Sequence, residues 1–141
     1  MNNDEKGDAI VMVFYRPDRD EVLLEERGPE NHFAGKLIFP GGSVEENERI
    51  NKLRAVQREA REEFDVRPTR ILRLRMGNHF MGETGKRLWP YLIRSWDGTI
   101  PDRVIDKGNP LVWISLENAE KIYVESSRKI VSAVRLCLIN L

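Results

Sequence analysis

The chain has 141 residues, a length that predicts one domain with room for a hydrophobic core. Its 23 lysines and arginines balance its 23 aspartates and glutamates, and no block of basic residues indicates binding to polymeric nucleic acid. The single cysteine, Cys137, excludes a framework of internal disulfides and favours a reducing compartment. No apolar run approaches the length of a membrane span, and the polar N-terminus looks like no targeting signal, so we expect a cytoplasmic protein without membrane attachment.

The first part of the chain is predicted to form three strands followed by a helix. A nearly continuous apolar run at 9–15 predicts a buried strand, and the turn residues at 17–20 lead to a return strand at 22–26. A short strand at 37–39 leads to the Pro-Gly-Gly turn at 40–42. A helix is predicted over about 51–64, and its apolar residues recur at the spacing of one buried face.

The second half of the chain repeats strands before it closes on a helix. Alternation predicts a half-buried strand at 70–76, and the glycine-containing segment at 77–86 predicts a loop that could border a site. A strand follows at 88–96, in which Pro90 indicates a sheet edge or a bulge, and another at 111–114. Ser115 is expected to cap a short helix that continues through residue 122, and Ser126 or Ser127 to cap a last helix that continues to about residue 140. This order predicts an α/β fold, a mixed sheet with helices on both faces.

Glutamates at 59, 62 and 63 fall on one face of the predicted central helix. Like charges at this spacing destabilise a helix by a few tenths of a kcal/mol per pair. A solvated surface is the ordinary explanation of such a helix. A hard divalent cation with oxygen ligands is the alternative, and the glycines at 41 and 42 favour it because they let a ligand approach the backbone.

Together with Glu48, this segment resembles the signature of the Nudix hydrolases: Gly, five residues, Glu, seven residues, then Arg-Glu-aliphatic-x-Glu-Glu-x-Gly-aliphatic. The matching positions here are Gly42, Glu48, Arg58, Glu59, Glu62, Glu63 and Val66. The sequence departs from the signature in three ways. Nine residues separate Glu48 from Arg58, Ala60 is smaller than the usual aliphatic residue, and Asp65 replaces the glycine. We expect Asp65 to adopt the left-handed conformation that this glycine suits, at a cost of about 1 kcal/mol.

The resemblance implies a single Nudix hydrolase domain over residues 1–141, folded as the α/β/α sandwich of the family with a mixed central sheet. It also implies a magnesium site, with Mn²⁺ as the alternative ion. The expected metal ligands are Glu59, Glu62, Glu63 and the carbonyl of Gly41. Either Glu62 or Glu63 would be the general base, and Arg58 would orient a glutamate through a charge-assisted hydrogen bond. An ordinary surface ion pair is the structural alternative for Arg58.

Residues 27–42 are similar to the stretch before the signature in nucleoside triphosphate pyrophosphohydrolases of the MutT type. This similarity implies that four residues approach the nucleotide: Arg27, His32, Phe39 and Gly42. Arginine can bind phosphate, and an aromatic wall suits a purine. The structural alternatives are a core position for Phe39 and an exposed loop position for His32.

Three further residues are candidates for the site. Near the C-terminus the MutT subgroup has an asparagine that reads the base, and here only Ser126 or Ser127 is available in its place. Asp106 lies near the position of an additional acidic metal ligand in some members, and an exposed loop carboxylate is its structural alternative.

We therefore expect hydrolysis of a (d)NTP to the monophosphate and pyrophosphate, with oxidised purine nucleotides among the candidate substrates. ADP-ribose, nucleotide sugars and dinucleoside polyphosphates are alternative substrates. A Nudix-like domain that senses a nucleotide without hydrolysing it, or an interaction module with an acidic surface helix, is the alternative from another class. The expected partner is a small nucleotide, and the sequence leaves open whether the protein forms a homodimer and which phosphorus is attacked.

Overall fold

The computed structural model describes residues 7–29, 33–77 and 79–141, so His32 lies outside the described residues. The strands are β1 (Asp8–Arg16), β2 (Glu21–Glu26), β3 (Leu37–Ile38), β4 (Gly41–Ser43), β5 (Arg67–Arg73), β6 (Arg87–Asp97) and β7 (Leu111–Ser115). The helices are α1 (Leu53–Phe64), α2 (Leu116–Ala119) and α3 (Glu125–Ile139), and a short 3₁₀ turn spans Glu46–Glu48.

The strands form the predicted mixed sheet, in which five follow the order β3-β2-β1-β6-β5, while β4 pairs with β1 and β7 pairs with β2. β1 runs parallel to β6, and the other pairings are antiparallel. β2 and β4 both pair with β1, but at different ends of it. β4 pairs at Ala9–Val11 and β2 pairs at Tyr15 and Arg16, so β2 and β4 diverge from the strand they share.

Alternating side chains of β1 separate two hydrophobic cores, as the period of a strand requires. Ile10, Met12 and Phe14 pack on the side of α1, where the rings of Phe14 and Phe64 meet edge to face at 5.4 Å. Val11, Val13 and Tyr15 pack on the other side with residues of α2 and α3. Helices therefore cover both faces of the sheet, and the predicted α/β/α sandwich is confirmed.

The boundaries differ from the predictions at several places. α1 begins at Leu53 rather than near residue 51, α2 ends at Ala119 rather than at residue 122, and β5 spans 67–73 rather than 70–76. The pairing of β5 with β6 shifts register on both sides of Arg70, which breaks the regular alternation on which the prediction rested.

Pro90 lies in an interior strand, because β6 pairs with both β1 and β5, so the predicted sheet edge is wrong. The pairing with β5 ends at Arg73 and Tyr91, and the carbonyl of Pro90 accepts from the backbone N–H of Leu74 just beyond that end. The missing N–H of Pro90 thus falls where β5 has already ended, which makes the proline tolerable.

The helix caps were predicted in part. Ser115 caps α2 as expected, since its side chain accepts from the backbone N–H of Asn118 at 3.1 Å. Neither Ser126 nor Ser127 caps α3, because Val124 occupies the N-cap position and both serines lie inside the first turn. In the part of the chain that the structure describes, no helix has the length and apolar character needed to cross a membrane.

Candidate active site

β4 lies so close to α1 that residue 42 has no room for a side chain. A Cβ atom at Gly42 would lie 2.2 Å from the carboxyl carbon of Glu59, and one at Gly41 would lie 2.2 Å from the carbonyl oxygen of Ile10. Glycine at both positions therefore lets the Pro-Gly-Gly turn pass between β1 and the acidic face of α1.

Arg58 connects this turn with the glutamates of α1. Its Nε and Nη2 donate to the two carboxylate oxygens of Glu48 at 2.8 and 3.0 Å, and Nη2 also donates to the carbonyl of Ser43 at 2.9 Å. Its Nη1 donates to Glu59 at 3.0 Å and to Glu62 at 2.9 Å. The bidentate pair with Glu48 fixes the plane of the guanidinium, which in turn orients two of the three glutamates.

Glu48 is buried, with an exposed fraction of 4%. The hydrogen bond from Arg58 lowers the pKa of Glu48, and the same hydrogen bond raises the pKa of Arg58. The longer spacing between these residues therefore does not separate them. The connection from Glu48 to α1 is mostly exposed and includes the fully exposed Ile50, so the additional length lies at the surface.

The C-cap residue of α1 is Asp65, which has φ 53° and ψ 42°. This is the left-handed conformation expected for the position where the Nudix signature has glycine. The backbone N–H of Asp65 bonds to the carbonyl of Arg61, and the carbonyl of Glu63 accepts from Ile105. The end of α1 is thereby fixed against the 103–109 connection, which contributes residues to the cleft.

The side chains of Glu59, Glu62 and Glu63 line one cleft together with Gly41 and Asp106. Burial raises the pKa of Glu59, Arg58 opposes this effect, and the neighbouring charges of Glu63 and Glu62 add to it. The sequence prediction therefore named residues that the structure brings to one cleft. It did not include Lys107, whose Nζ lies 3.1 Å from Glu63.

The cleft contains the oxygen ligands that a hard divalent cation prefers. These are the side chains of three glutamates, which lie beside the backbone of the glycine turn. As they stand, Arg58 holds Glu59 and Glu62, and Lys107 holds Glu63. Accordingly, no group of three His, Cys, Asp or Glu side chains within 7–29, 33–77 and 79–141 is arranged to hold an ion directly. The donor set fits Mg²⁺, and coordination would require these carboxylates to turn toward a common point.

An apolar pocket adjoins the acidic cleft. Phe33, Phe39, Val124 and Ile130 are among its apolar lining residues. Phe39 belongs to the hydrophobic core and also lines this pocket, so the two interpretations of Phe39 are compatible. The residues that line both the pocket and the cleft are Ala9, Arg27, Gly41, Gly42 and Lys86.

Arg27 stands at the junction of the pocket and the cleft. Its Nε is buried and has no hydrogen-bond partner among the described residues. A buried donor without a partner costs free energy, which an anionic ligand in the junction would recover.

Ser126 and Ser127 are buried in the apolar pocket. The backbone N–H and the hydroxyl of Ser126 donate to the two carboxylate oxygens of Glu83 at 2.8 and 2.6 Å. Glu83 comes from the loop that was predicted to border a site, and Lys86 at the end of this loop donates to the hydroxyl of Ser43.

Among the lining residues that were not identified from the sequence are Phe33, Glu83, Lys86 and Lys107. The glycines at 82 and 85, on either side of Glu83, were the available signal for the loop. Periodicity carries no information about which loop residues face inward, so the individual side chains could not be chosen.

A model of the Nudix domain matches residues 5–134. The 8-oxo-dGTP diphosphatase of Escherichia coli K12 is 29% identical over 107 residues, which are 76% of this chain and 79% of that protein. The MutT Nudix hydrolase of Burkholderia pseudomallei has a TM-score of 0.69 at 26% identity, covering 92% of this chain and 99% of that one. A MutT structure from work on Aliivibrio salmonicida and Vibrio cholerae has a TM-score of 0.74 at 20% identity, covering 92% and 97%. The chain therefore belongs to the Nudix domain family, and it is a Nudix pyrophosphohydrolase.

Proposed function

We propose that the chain hydrolyses a nucleoside triphosphate to the monophosphate and pyrophosphate, with Mg²⁺ as cofactor. The observation that carries the proposal is that an apolar pocket and an acidic cleft adjoin and share Arg27, Gly42 and Lys86. A nucleotide has the same two parts in the same order, a flat and largely apolar base joined to anionic phosphates. The activity of the Escherichia coli relative makes 8-oxo-dGTP and dGTP the first substrates to test.

The residues that would hold the ion are Glu59, Glu62, Glu63 and the Gly41 carbonyl, with Asp106 beside them in the cleft. Mn²⁺ is the alternative, since it takes the same oxygen ligands. When bound, such an ion supplies charge neutralisation at the phosphates and a water of lowered pKa.

The protein residues position the reacting groups. Arg58 fixes the directions of Glu59 and Glu62, and Lys107 holds Glu63. The guanidinium of Arg27 would pair with phosphate oxygens at the junction, with Lys86 as a second cation there. Phe33 and Phe39 would contact the base, and Gly42 leaves the space in which Glu59 lies.

Glu62 and Glu63 are the two candidates for the general base. The side chain of Glu62 is half exposed and bonds to Arg58, whereas that of Glu63 is almost buried and bonds to the exposed Lys107. Lys107 can move away more easily than Arg58, because Arg58 has five fixed hydrogen bonds. This mobility favours Glu63 as the residue that accepts a proton from water.

The test is a turnover assay with Mg²⁺ on a panel of canonical and oxidised dNTPs, ADP-ribose, nucleotide sugars and diadenosine polyphosphates, with products identified by chromatography. Glu63→Gln should lose at least about a hundredfold in kcat, the usual contribution of a general base. Its melting temperature should stay close to that of the wild type, since the lost ion pair is partly exposed. Glu62→Gln is measured in parallel, and the variant with the larger loss of kcat identifies the glutamate that contributes more to turnover. In a separate experiment, hydrolysis in H₂¹⁸O identifies the phosphorus that water attacks.

Equal turnover by the wild type and both variants on every compound would contradict the catalytic assignment. Mg²⁺-dependent nucleotide binding without turnover would instead favour a sensing domain. A single domain over 1–141 and a cytoplasmic location stay predictions, and whether the protein forms a homodimer stays open.

A further inference from the structure

The connection between β6 and β7 is fixed to the end of α1 at Glu63. The backbone N–H of Ile105 donates to the carbonyl of Glu63 at 2.9 Å. A further backbone hydrogen bond, from Gly108 to the carbonyl of Val104 at 2.8 Å, closes the connection on itself. The backbone that carries Lys107 therefore has a defined position beside Glu63.

The side chain of Lys107 forms an ion pair with the same glutamate. Its Nζ lies 3.1 Å from Oε1 of Glu63, whose side chain is 11% exposed, whereas the side chain of Lys107 is 59% exposed. An exposed ammonium on a flexible four-carbon chain changes its partner easily. Among the described residues, the other cations that line the cleft are Arg27 and Lys86, and both are less exposed.

Glu63 cannot keep this partner and also perform either role considered for it. A metal ligand and a general base both need a carboxylate that is free of an ammonium. A divalent cation and an ammonium at one carboxylate would also repel each other, and this repulsion is strengthened because the carboxylate is almost buried. Lys107 must therefore release Glu63 before the site can act.

The composition of the cleft indicates where the released ammonium goes. Lys107 lines the cleft together with Arg27 and Lys86, so a phosphate chain in the cleft lies among three cations. A lysine ammonium is a compact charge with three donors, and it binds phosphate as a point charge. Because the backbone of Lys107 is fixed, its side chain can leave Glu63 and still remain at the cleft.

We propose that Lys107 is a substrate-binding residue with two partners, Glu63 in the nucleotide-free protein and the triphosphate chain in the complex; this inference rests on the proposed function of the same site. In the nucleotide-free protein, Lys107 competes with a divalent cation for Glu63 and lowers the affinity for that cation. In the complex, phosphate oxygens replace Glu63 as the partner of the ammonium. Through this exchange, the binding of the cation and the binding of the nucleotide favour each other.

The first experiment measures Mn²⁺ binding by calorimetry without nucleotide. Lys107→Met keeps the length of the side chain and removes its charge, so it should bind Mn²⁺ at least about threefold more tightly than the wild type. Lys107→Arg keeps the charge and should bind Mn²⁺ as weakly as the wild type. Lys121→Met, which changes an exposed lysine outside the cleft, is the matched control and should keep the wild-type affinity.

The second experiment measures nucleotide binding at saturating Mg²⁺, with the α,β-methylene analogue of dGTP, which resists cleavage between the α- and β-phosphates. Lys107→Met should bind this analogue at least about threefold more weakly than the wild type, because it lacks one cation for the phosphate chain. Its affinity for dGMP should change less, since dGMP has no β- or γ-phosphate. In turnover, Lys107→Met should raise KM for dGTP more than it lowers kcat.

The two measurements are expected to change in opposite directions, which the loss of a purely structural ion pair would not produce. Unchanged or weaker Mn²⁺ binding by Lys107→Met would show that Lys107 does not compete for Glu63, and the inference would be overturned. Tighter Mn²⁺ binding with an unchanged affinity for the analogue would also overturn it, because the phosphates would then not be a partner of Lys107. If the wild type hydrolyses no nucleotide, the proposed function fails, and the two binding measurements still decide the role of Lys107.

Discussion

Gly42 and Glu59 come from different elements, and their closeness explains why the turn must have glycine at this position. A methyl group at residue 42 would overlap the carboxylate of Glu59 at 2.2 Å. The flexible end of a glutamate can move away, so the overlap is relieved by displacing one of the acidic side chains rather than by unfolding. The requirement for glycine at 42 is therefore a requirement of the site.

Gly42→Ala should consequently lose activity more than stability. We expect about a hundredfold loss of kcat, because Glu59 is an expected metal ligand and a displacement of about 1 Å at a site has this order of effect. The loss of stability should be small. Gly77→Ala is the control, since a Cβ there meets no atom within 4 Å. Steady-state kinetics and thermal melts check both variants, and a Gly42→Ala enzyme with wild-type kcat would contradict the placement of Glu59.

Tyr15 gives the protein a pH dependence in the alkaline range. Burial raises the pKa of its phenol from 10.0 to about 12, and the hydrogen bond to Asp20 at 2.6 Å adds to the rise. Because the folded-state pKa lies above the unfolded value, the contribution of Tyr15 to stability is fully present below about pH 10 and is lost as the pH rises through about 12.

Tyr15→Phe should therefore lose less stability than the wild type between pH 9 and about pH 11. Urea unfolding at the two pH values measures the difference. Tyr123→Phe, which removes the hydroxyl of an exposed tyrosine, is the control and should lose as much stability as the wild type over this pH range. Identical losses of stability in Tyr15→Phe and the wild type would show that the pKa of Tyr15 is not raised by folding.

Among the elements, α1 carries the three glutamates of the acidic cleft, and its ends determine where these glutamates point. Its N-terminal side is tied to the 3₁₀ turn through Arg58 and Glu48, and its C-terminal end is the left-handed Asp65. Asp65 occupies the position where the Nudix signature has glycine. Its left-handed conformation is expected to cost about 1 kcal/mol of conformational free energy.

Asp65→Gly should stabilise the fold by about 0.5–1 kcal/mol, because glycine adopts the left-handed conformation without the penalty of a Cβ atom. Asp65→Ala should destabilise the fold, since alanine adopts the left-handed conformation less readily than aspartate. The free energy of unfolding in urea decides between these outcomes. A glycine variant less stable than the wild type would mean that the Asp65 side chain contributes a contact that outweighs the strain.

At the scale of the whole molecule, one sheet separates two cores that share β1. The three tryptophans, Trp89, Trp96 and Trp113, all pack on the side of α1. Ile130, by contrast, is buried on the side of α3, with an exposed fraction of 1%. Tryptophan fluorescence therefore reports on one core, and a substitution at Ile130 perturbs the other.

Ile130→Val should lower stability by about 0.5–1.5 kcal/mol, the usual cost of one buried methylene group. If the two cores unfold together, tryptophan fluorescence and far-UV circular dichroism will shift by the same amount in denaturant. A shift in circular dichroism with unchanged fluorescence would show that the side of α3 unfolds separately.

The acidic residues of the cleft were identified from the sequence, whereas most of the apolar pocket was not. Glu59, Glu62 and Glu63 belong to one helix, so the helical period alone places them together. Arg27 and Phe39 precede the glycine turn closely and were placed by resemblance, and the structure brings both to the pocket. Ser126 was named as a candidate and does line the pocket, but as a partner of Glu83 rather than as a helix cap.

The sequence by itself determined the fold class, the family and the acidic face of α1, because each depends on local periodicity or on residues close along the chain. Only the tertiary structure decided that Glu48 reaches Arg58 despite the longer spacing, that Lys107 holds Glu63 and that Glu83 meets Ser126. These contacts join residues 10, 44 and 43 positions apart. Their formation depends on how the strands diverge from β1 and how the loops cross the sheet, and no local pattern encodes that arrangement.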